Sequence, residues 1–457
     1  MVAPIFALHQ AQAAAEEEQA RLERMKRAWE AYHGTLPKPF IVRPNGPDDN
    51  VVANKARVVV NKGVSFLFGK PITFELDGDA EESPAEKYLD RVWQANRKMT
   101  TLQKLAMNGG VCGHVFAKIM LRPPEPPRLI VLDPAMVAVE WDDEDIERVT
   151  RYRVQWPAPD PATRRPILRR QVVEPVGAAA TPVAWQILDQ VSTPDGTAWR
   201  TISTARWPYP FAPIVDAQNL PLPNEYWGES DLETDLVDLN ISRNRTLSNL
   251  GRVIRFHGHP KTVGTGFQAK EIDMSPDKPI ILPGDNAKMW NLEMVSDLSS
   301  HMEYDRRIDE AIHEIARIPA IATGKVENIG QLSGLAMQIL FAPLVEKTET
   351  KRLLYGDFIN ELNRCFLVIG GFTKEAETPT RIQWFELLPS DPLQERNVAL
   401  IDEQLGVSLQ TLQEQLGFDP EREKQQKADE TDAAMQQQAK AMNMQPDAAM
   451  AGPGGGR

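Results

Sequence analysis

Proline placement constrains this chain more than any other feature. There are 36 prolines in 457 residues, and many crowd the middle. They run Pro123, Pro124, Pro126, Pro127, then Pro157, Pro159, Pro161, Pro166, then Pro208, Pro210, Pro213, Pro221, Pro223. Proline lacks an N–H and clashes with the preceding turn, so helix interiors expel it. The middle is therefore expected to be strands and loops between helical flanks. Strands are predicted over 115–121, 128–132, 149–156, 167–173, 184–190 and 198–204. They are closely spaced with no helix between, which argues for antiparallel pairing and an α+β fold, mainly helical, with a β region.

The first flank reads as helices over 8–32, 49–67, about 84–95 and 101–108, with a strand at 72–76. Ser83-Pro84-Ala85-Glu86 is a capping box with Pro at the first helical position. After the β region a long helix is predicted over 229–255, with Leu232, Leu236, Leu239, Leu247, Leu250 and Ile254 near one face. Acids (Glu229, Asp231, Glu233, Asp235, Asp238) fill its first half and Arg243, Arg245, Arg252 and Arg255 its second, matching the helix dipole. A Gly/Pro-punctuated stretch at 256–295 follows. A second helix spans 297–318 on a stripe of Met302, Ile308, Ile312, Ile315 and Ile318. The pair reads as a helical hairpin with a β-rich ornament at its tip. Beyond it come a polar stretch at 323–331, a helix over 333–367 kinked at Pro343, a strand near 381–387, helices over 391–417 and 421–442, and a Gly-rich tail expected to be disordered.

Length suggests about three structural units. Apolar residues make up 42% and charged residues 25%, an ordinary globular balance. No run of about 18 apolar residues exists, so no transmembrane helix is expected, and the N-terminus does not read as a signal peptide. A net charge of −13 argues against tight nonspecific DNA binding, which needs cations against phosphates. Cys112 and Cys365 lie far apart without metal-ligand spacing, so a reducing compartment is the default.

No catalytic constellation survives inspection. Gly63 to Lys70 has five residues between its glycines, and Pro71 stands where a phosphate loop needs Ser or Thr. His257 and His259 lack further metal ligands. His313-Glu314 has Arg317 where a zinc-protease helix needs its second His. Asp142, Asp143, Glu144 and Asp145 could bind metal for nuclease chemistry, but a solvated turn is the simpler reading. No cofactor and no metal are expected, and the chain reads as a mechanical or assembly protein.

Several short motifs in a fixed order carry a resemblance. Tyr32-His33-Gly34 ends the first helix. Asn54 precedes Leu67-Phe68-Gly69-Lys70-Pro71. Gly109-Gly110 and Gly113-His114 lead into the strands, followed by Asp133-Pro134 and Arg151-Tyr152. Pro213-Ile214-Val215 precedes Gly228-Glu229-Ser230-Asp231-Leu232; Ser333 to Met337 opens the kinked helix; Val407-Ser408 and Thr411 lie in the last region. Over about 30–425 this order resembles the portal proteins of tailed bacteriophages, in the branch typified by long-tailed siphophages.

The resemblance implies a ring of about twelve subunits at one capsid vertex, a heterologous interface that closes. It implies partners: double-stranded DNA in the channel, a terminase motor, major capsid and scaffolding proteins, and a head–tail adaptor, with no membrane. Residues 1–228 would be the wing, 229–255 and 297–318 the stem, and 256–296 the clip. Residues 319–390 would hold a tunnel loop, the kinked helix and more wing, 391–442 the crown, and 443–457 a disordered tail. Lys325, Val326, Glu327, Asn328 and Gln331 would face DNA from the tunnel loop; a buried interhelix connection is the alternative. Glu229, Asp231, Asp235, Arg243, Arg245 and Arg252 would line the channel or, preferably, pair between subunits. His257, His259, Lys261 and Lys278 would dock the motor and later the adaptor. An acidic chain suits a conduit, because a strongly basic lumen would grip phosphates and stall DNA. The alternatives are a head–tail adaptor ring and a metal-dependent nucleic-acid-processing enzyme.

Overall fold

The computed structural model describes residues 3–41, 48–76, 83–142, 144–160, 164, 166–176, 184–193, 198–258, 261–266, 286–292, 298–324 and 334–388, with 408, 411–412, 424–425 and 427. The chain divides into two units, 1–387 and 388–457, rather than three. No described helix is long and apolar enough to cross a membrane.

Four helices come first: α1 (Ala3–His33), α2 (Lys55–Phe68), α3 (Pro84–Ala95) and α4 (Lys98–Cys112), with β1 (Thr73–Glu75) between α2 and α3. The Ser83 capping box forms as predicted. Two boundaries differ from expectation. Helix α2 starts six residues late, because Asn54 caps it by accepting from Arg57 N and the residues before it are not helical. Helix α4 continues through Gly109 and Gly110, which were expected to lead out into the strands. Those glycines serve close approach instead. A Cβ on Gly110 would lie 2.9 Å from the Asp231 carboxylate, and one on Gly109 would collide with the Tyr355 hydroxyl. The helix ends at Gly113, whose positive φ of 83° favours glycine.

The β region is antiparallel throughout. Strands β2 (His114–Met120), β3 (Arg128–Leu132), β4 (Val137–Trp141), β5 (Val149–Pro159), β6 (Pro166–Pro175), β7 (Trp185–Ser192), β8 (Trp199–Trp207) and β9 (Ile214–Gln218) form two sheets. One is ordered β3-β2-β9; the other is a meander, β4 through β8. β4 was not predicted. Alternation sorts the meander's residues: Tyr152, Val154 and Val173 go inward, while Arg151 bridges Glu140 and Glu174, each at 2.8 Å, on the other face. Pro157 and Pro159 lie beyond the last β4 pair, Val137 with Val154, so a missing N–H costs no ladder bond on that side.

Helix α5 (Thr234–Gly258), strands β10 (Lys261–Thr265) and β11 (Lys288–Leu292), and helix α6 (Ser299–Ile315) follow. The two strands pair, so the described part of the expected ornament is a two-stranded ribbon. Helix α7 (Gly334–Gly370) runs through Pro343. Strand β12 (Arg381–Gln383) then pairs with β1, tying the end of this unit to its start. The main core lies among α2, α3, α4, β2 and α7, where Phe68, Trp93, Phe116, Tyr355 and Phe366 are fully buried. In the second unit, the Ser408 hydroxyl accepts from Thr411 N at 3.2 Å and opens a helical turn.

Candidate functional site

The most distinctive construction is the root of the α5–α6 hairpin. The expected leucine stripe covers only the start of α5. Leu232, just before the helix, and Leu236 within it are buried, but the buried line then continues as Asn240, Asn244 and Ser248, while Ile254 is 53% exposed. These polar residues are four apart and face the non-helical segment that leads into α2. Lys55 N donates to Asn240 Oδ1 (3.1 Å), Ala53 N to Asn244 Oδ1 (2.9 Å) and Val51 N to Ser248 Oγ (2.9 Å). Arg252, the next position, reaches the Asp49 carboxylate at 3.4 Å, and Arg255 pairs with the same acid. The match is metric. Each step of four residues along the helix, about 6 Å, meets a step of two residues back along the segment. Asn50 and Asn54 point elsewhere, to Phe40 and Tyr32.

Charges fix α6 to the same root. Asp309, buried on α6, receives Lys55 at 2.7 Å and Arg243 at 3.2 Å; Asp305 receives Arg243 at 3.1 Å. His313 Nδ1 lies 2.9 Å from Ile318 O, and its Nε2 lies 3.3 Å from the Lys55 ammonium. A lysine donor on Nε2 leaves the ring proton on Nδ1, donated to Ile318. Of the predicted α6 stripe, Ile308, Ile312 and Ile318 are buried, but Met302 is 62% and Ile315 45% exposed, because charged Asp309 shares the inward face.

Below the root, residues 228–233 were expected to open the long helix. They are instead strapped to the end of α4. Ser230 Oγ bonds the Gly110 and Val111 carbonyls, Asp231 N donates to Gly110 O, and Glu233 accepts from Ser230 N. Asp231 is buried between Lys347 (2.8 Å) and Lys351 (2.6 Å) of α7. Burial pushes its carboxyl up, but the two lysines outweigh that and hold it at about 2. Burial lowers Lys351 to about 8 against the pull of Asp231.

Within one chain, several of the expected channel or intersubunit residues have partners of their own. Asp231 is buried with both oxygens engaged by Lys347 and Lys351. Arg243 and Arg252, expected to pair between subunits, find acids of their own chain. Glu229 precedes α5, and Asp235 lies in its first turn. Asp235 and Arg245 are exposed without an ion pair among the described residues. The tunnel-loop residues Lys325, Val326, Glu327, Asn328 and Gln331 lie outside the described residues, as do His259, Lys278 and most of 391–442. His257 ends up within α5 and Lys261 in β10, described for backbone only.

The sequence reading missed a buried cluster. Asp216 on β9 accepts from Tyr152 and Tyr226 hydroxyls, each at 2.6 Å, and lies 3.1 Å from His114 Nε2. Burial drives that carboxyl up, while the bond and charge of His114 and the two hydroxyls bring it below its ordinary value. Both phenols are pushed well above theirs by burial and then by Asp216. His114 opening β2 was visible in sequence, but its acid lies 102 residues away. Asp142 and Asp145 accept turn bonds from Glu144 N and Glu147 N. Among the described residues no group of three acids, histidines or cysteines could hold a metal.

A family model described as "Phage portal protein, SPP1 Gp6-like" matches residues 8–156 and 261–438. The chain belongs to the SPP1 Gp6-like phage portal protein family. It is thus a phage portal protein, a structural capsid component and not an enzyme, and the Asp216 cluster is read as a buried brace between sheet and strap. No curated protein matches the portal chain significantly. Among solved structures, a chain in the neck of an empty gene transfer agent particle aligns at 14% identity, covering 80% of this chain and 90% of that one, with a TM-score of 0.45. A chain in the virion of a native gene transfer agent particle aligns at 13% identity over the same shares, with a TM-score of 0.42. At these scores the likeness adds nothing to the family assignment.

Proposed function

We propose that copies of this chain close into a ring of about twelve at one capsid vertex, through which double-stranded DNA is packaged and later ejected. The observation that carries this reading, beside family membership, is the α5–α6 hairpin: two long helices held in register at the root, with a β-ribbon at the tip. A rigid rod rooted in a larger body suits a stem. The ribbon and its surroundings, 256–296 with His257, His259, Lys261 and Lys278, would be the clip that docks the terminase motor and then the head–tail adaptor. The meander and first helices would be the wing, near the major capsid and scaffolding proteins. Residues 391–442 would be the crown. The chain would work in the virion, after assembly in the host cytoplasm.

Native mass with negative-stain images of purified full-length protein tests the ring. A closed ring with a central hole is expected; a monomer at every concentration and salt would overturn it. The loop with Lys325, Val326, Glu327, Asn328 and Gln331 is proposed to touch DNA weakly and sterically. Deleting 325–330 should impair packaging. Wild-type assembly and packaging by that deletion would refute the assignment.

A further inference from the structure

The two sides of the hairpin root differ in charge, and each carries apolar groups left in water. One side holds a cavity of about 590 Å³ lined by Glu229, Glu233, Asp235, Ile315 and Arg317, among others. Glu229, Glu233 and Asp235 have no ion pair among the described residues, and Lys347 on the same wall is already engaged by Asp231. Burial, helped by the nearby carboxylates of Glu229 and Asp235, holds Glu233 above its ordinary range despite its bond from Ser230 and the charge of Arg24. Ile315 is 45% exposed and Tyr304, on the same α6 stripe, 53%. Arg317 and the nearby Arg24 answer only part of these three acids, so this side keeps a surplus of negative charge beside exposed apolar groups.

The other side holds a cavity of about 270 Å³ lined by Pro37, Pro39, Val52, Ile241 and Arg245, among others. The two cavities share no lining residue. Arg245 has no ion pair, Lys38 answers to Asp48, and Ile41, Val51 and Val52 stand exposed alongside, Ile41 at 94%. Single exposed aliphatics are ordinary, but clusters beside an uncompensated charge mark contact surfaces.

We propose that these two sides are the faces of one head-to-tail contact: the acidic side of one copy receives the Arg245 side of the next. The contact deepens the ring reading above and rests on it. Charge complementarity selects a second copy of this chain as the occupant. The surplus acids and the unanswered arginine line separate cavities, so each copy offers one acidic and one basic face and the pairing can repeat from copy to copy around a ring. The apolar groups supply the dry centre, and the charges set direction and register.

Charge exchange in the full-length chain is the test, read by native mass across a concentration series. Arg245→Glu alone, and Glu233→Lys with Asp235→Lys, should each raise the concentration for half-assembly by about tenfold or more. Mixing the two variant chains, or combining all three substitutions in one chain, should restore assembly, because each altered face then meets its complement. Circular dichroism and melting on each variant separate misfolding from lost contact. Folded variants that assemble like wild type would overturn the proposed faces while leaving the ring intact. So would folded single variants whose mixture stays unassembled. A wild-type chain that never assembles would overturn the ring and this contact together.

Discussion

Between residues 355 and 366, helix α7 buries Tyr355, Phe358, Ile359, Leu362, Cys365 and Phe366, whereas α5 beyond Val237 buries Asn240, Asn244 and Ser248. Both helices are anchored in the same unit, by opposite means. Apolar burial is strong and non-directional: it fixes how deep a helix sits, and side chains can settle to suit. Hydrogen bonds to backbone N–H groups are individually modest but directional, so they fix which turn of α5 faces which residue of the 48–55 segment. A hairpin that carries a ribbon at its tip needs register more than depth.

Substitutions can break this comparison from either end. The largest loss is expected where an aromatic core residue goes: Trp93→Ala removes contacts with Phe74 and Phe366 and the bond to Asn363, and should cost about 3–5 kcal/mol in denaturant unfolding. Asp231→Asn should come close, about 3–5 kcal/mol, because Lys347 and Lys351 would stay buried without their counter-charge. That variant also has a pH signature. The folded-state carboxyl of Asp231, at about 2, lies below its unfolded value of about 3.9, so its stabilisation is present above pH 4 and lost as pH falls toward 2. The Asn variant should lack this part of the acid limb. Lys351 works at the other end. Its folded value of about 8 lies below an unfolded value of about 10.4, so stability should rise over that interval as the buried charge is relieved. A flat alkaline limb would contradict its burial as a cation.

Removing a single rung sharpens the contrast. Asn244→Ala should cost about 1–2 kcal/mol, and hydrogen exchange should lose protection at Ala53 ahead of the α7 core. Uniform loss across both helices would mean the ladder does not act locally. The smallest effect belongs to the outer face of α6, where exposed Arg306 pairs with Glu303 and Glu310: Arg306→Ala should leave the melting temperature essentially unchanged.

Much of the fold was readable in order. The capping box at Ser83 is local chemistry, and α3 starts where it predicts. The proline-rich middle was expected to be strands and loops, and its described residues are strands and loops with one short helical turn at Pro134–Met136. The two helices of the hairpin follow from acid-to-base order and from punctuation between them. Boundaries failed where distant groups intervened. Residues 49–54 were expected to begin α2, yet the N–H groups of Val51 and Ala53 are taken by α5, and Ser230 and Asp231 are drawn to carbonyls of α4.

The sequence by itself determined element types, the antiparallel middle, the hairpin and the family, because helix caps, proline and side-chain periodicity act within a few residues. Only the tertiary structure decided which polar residues are buried and what they meet. Asn240, Asn244 and Ser248 look like a solvated face until a non-helical segment nearly 200 residues upstream lies against them. Arg243 and Arg252 look available to a neighbour until Asp305, Asp309 and Asp49 are brought within reach. Hydrogen bonds and ion pairs need their partners in space, and chain position alone does not supply the distance.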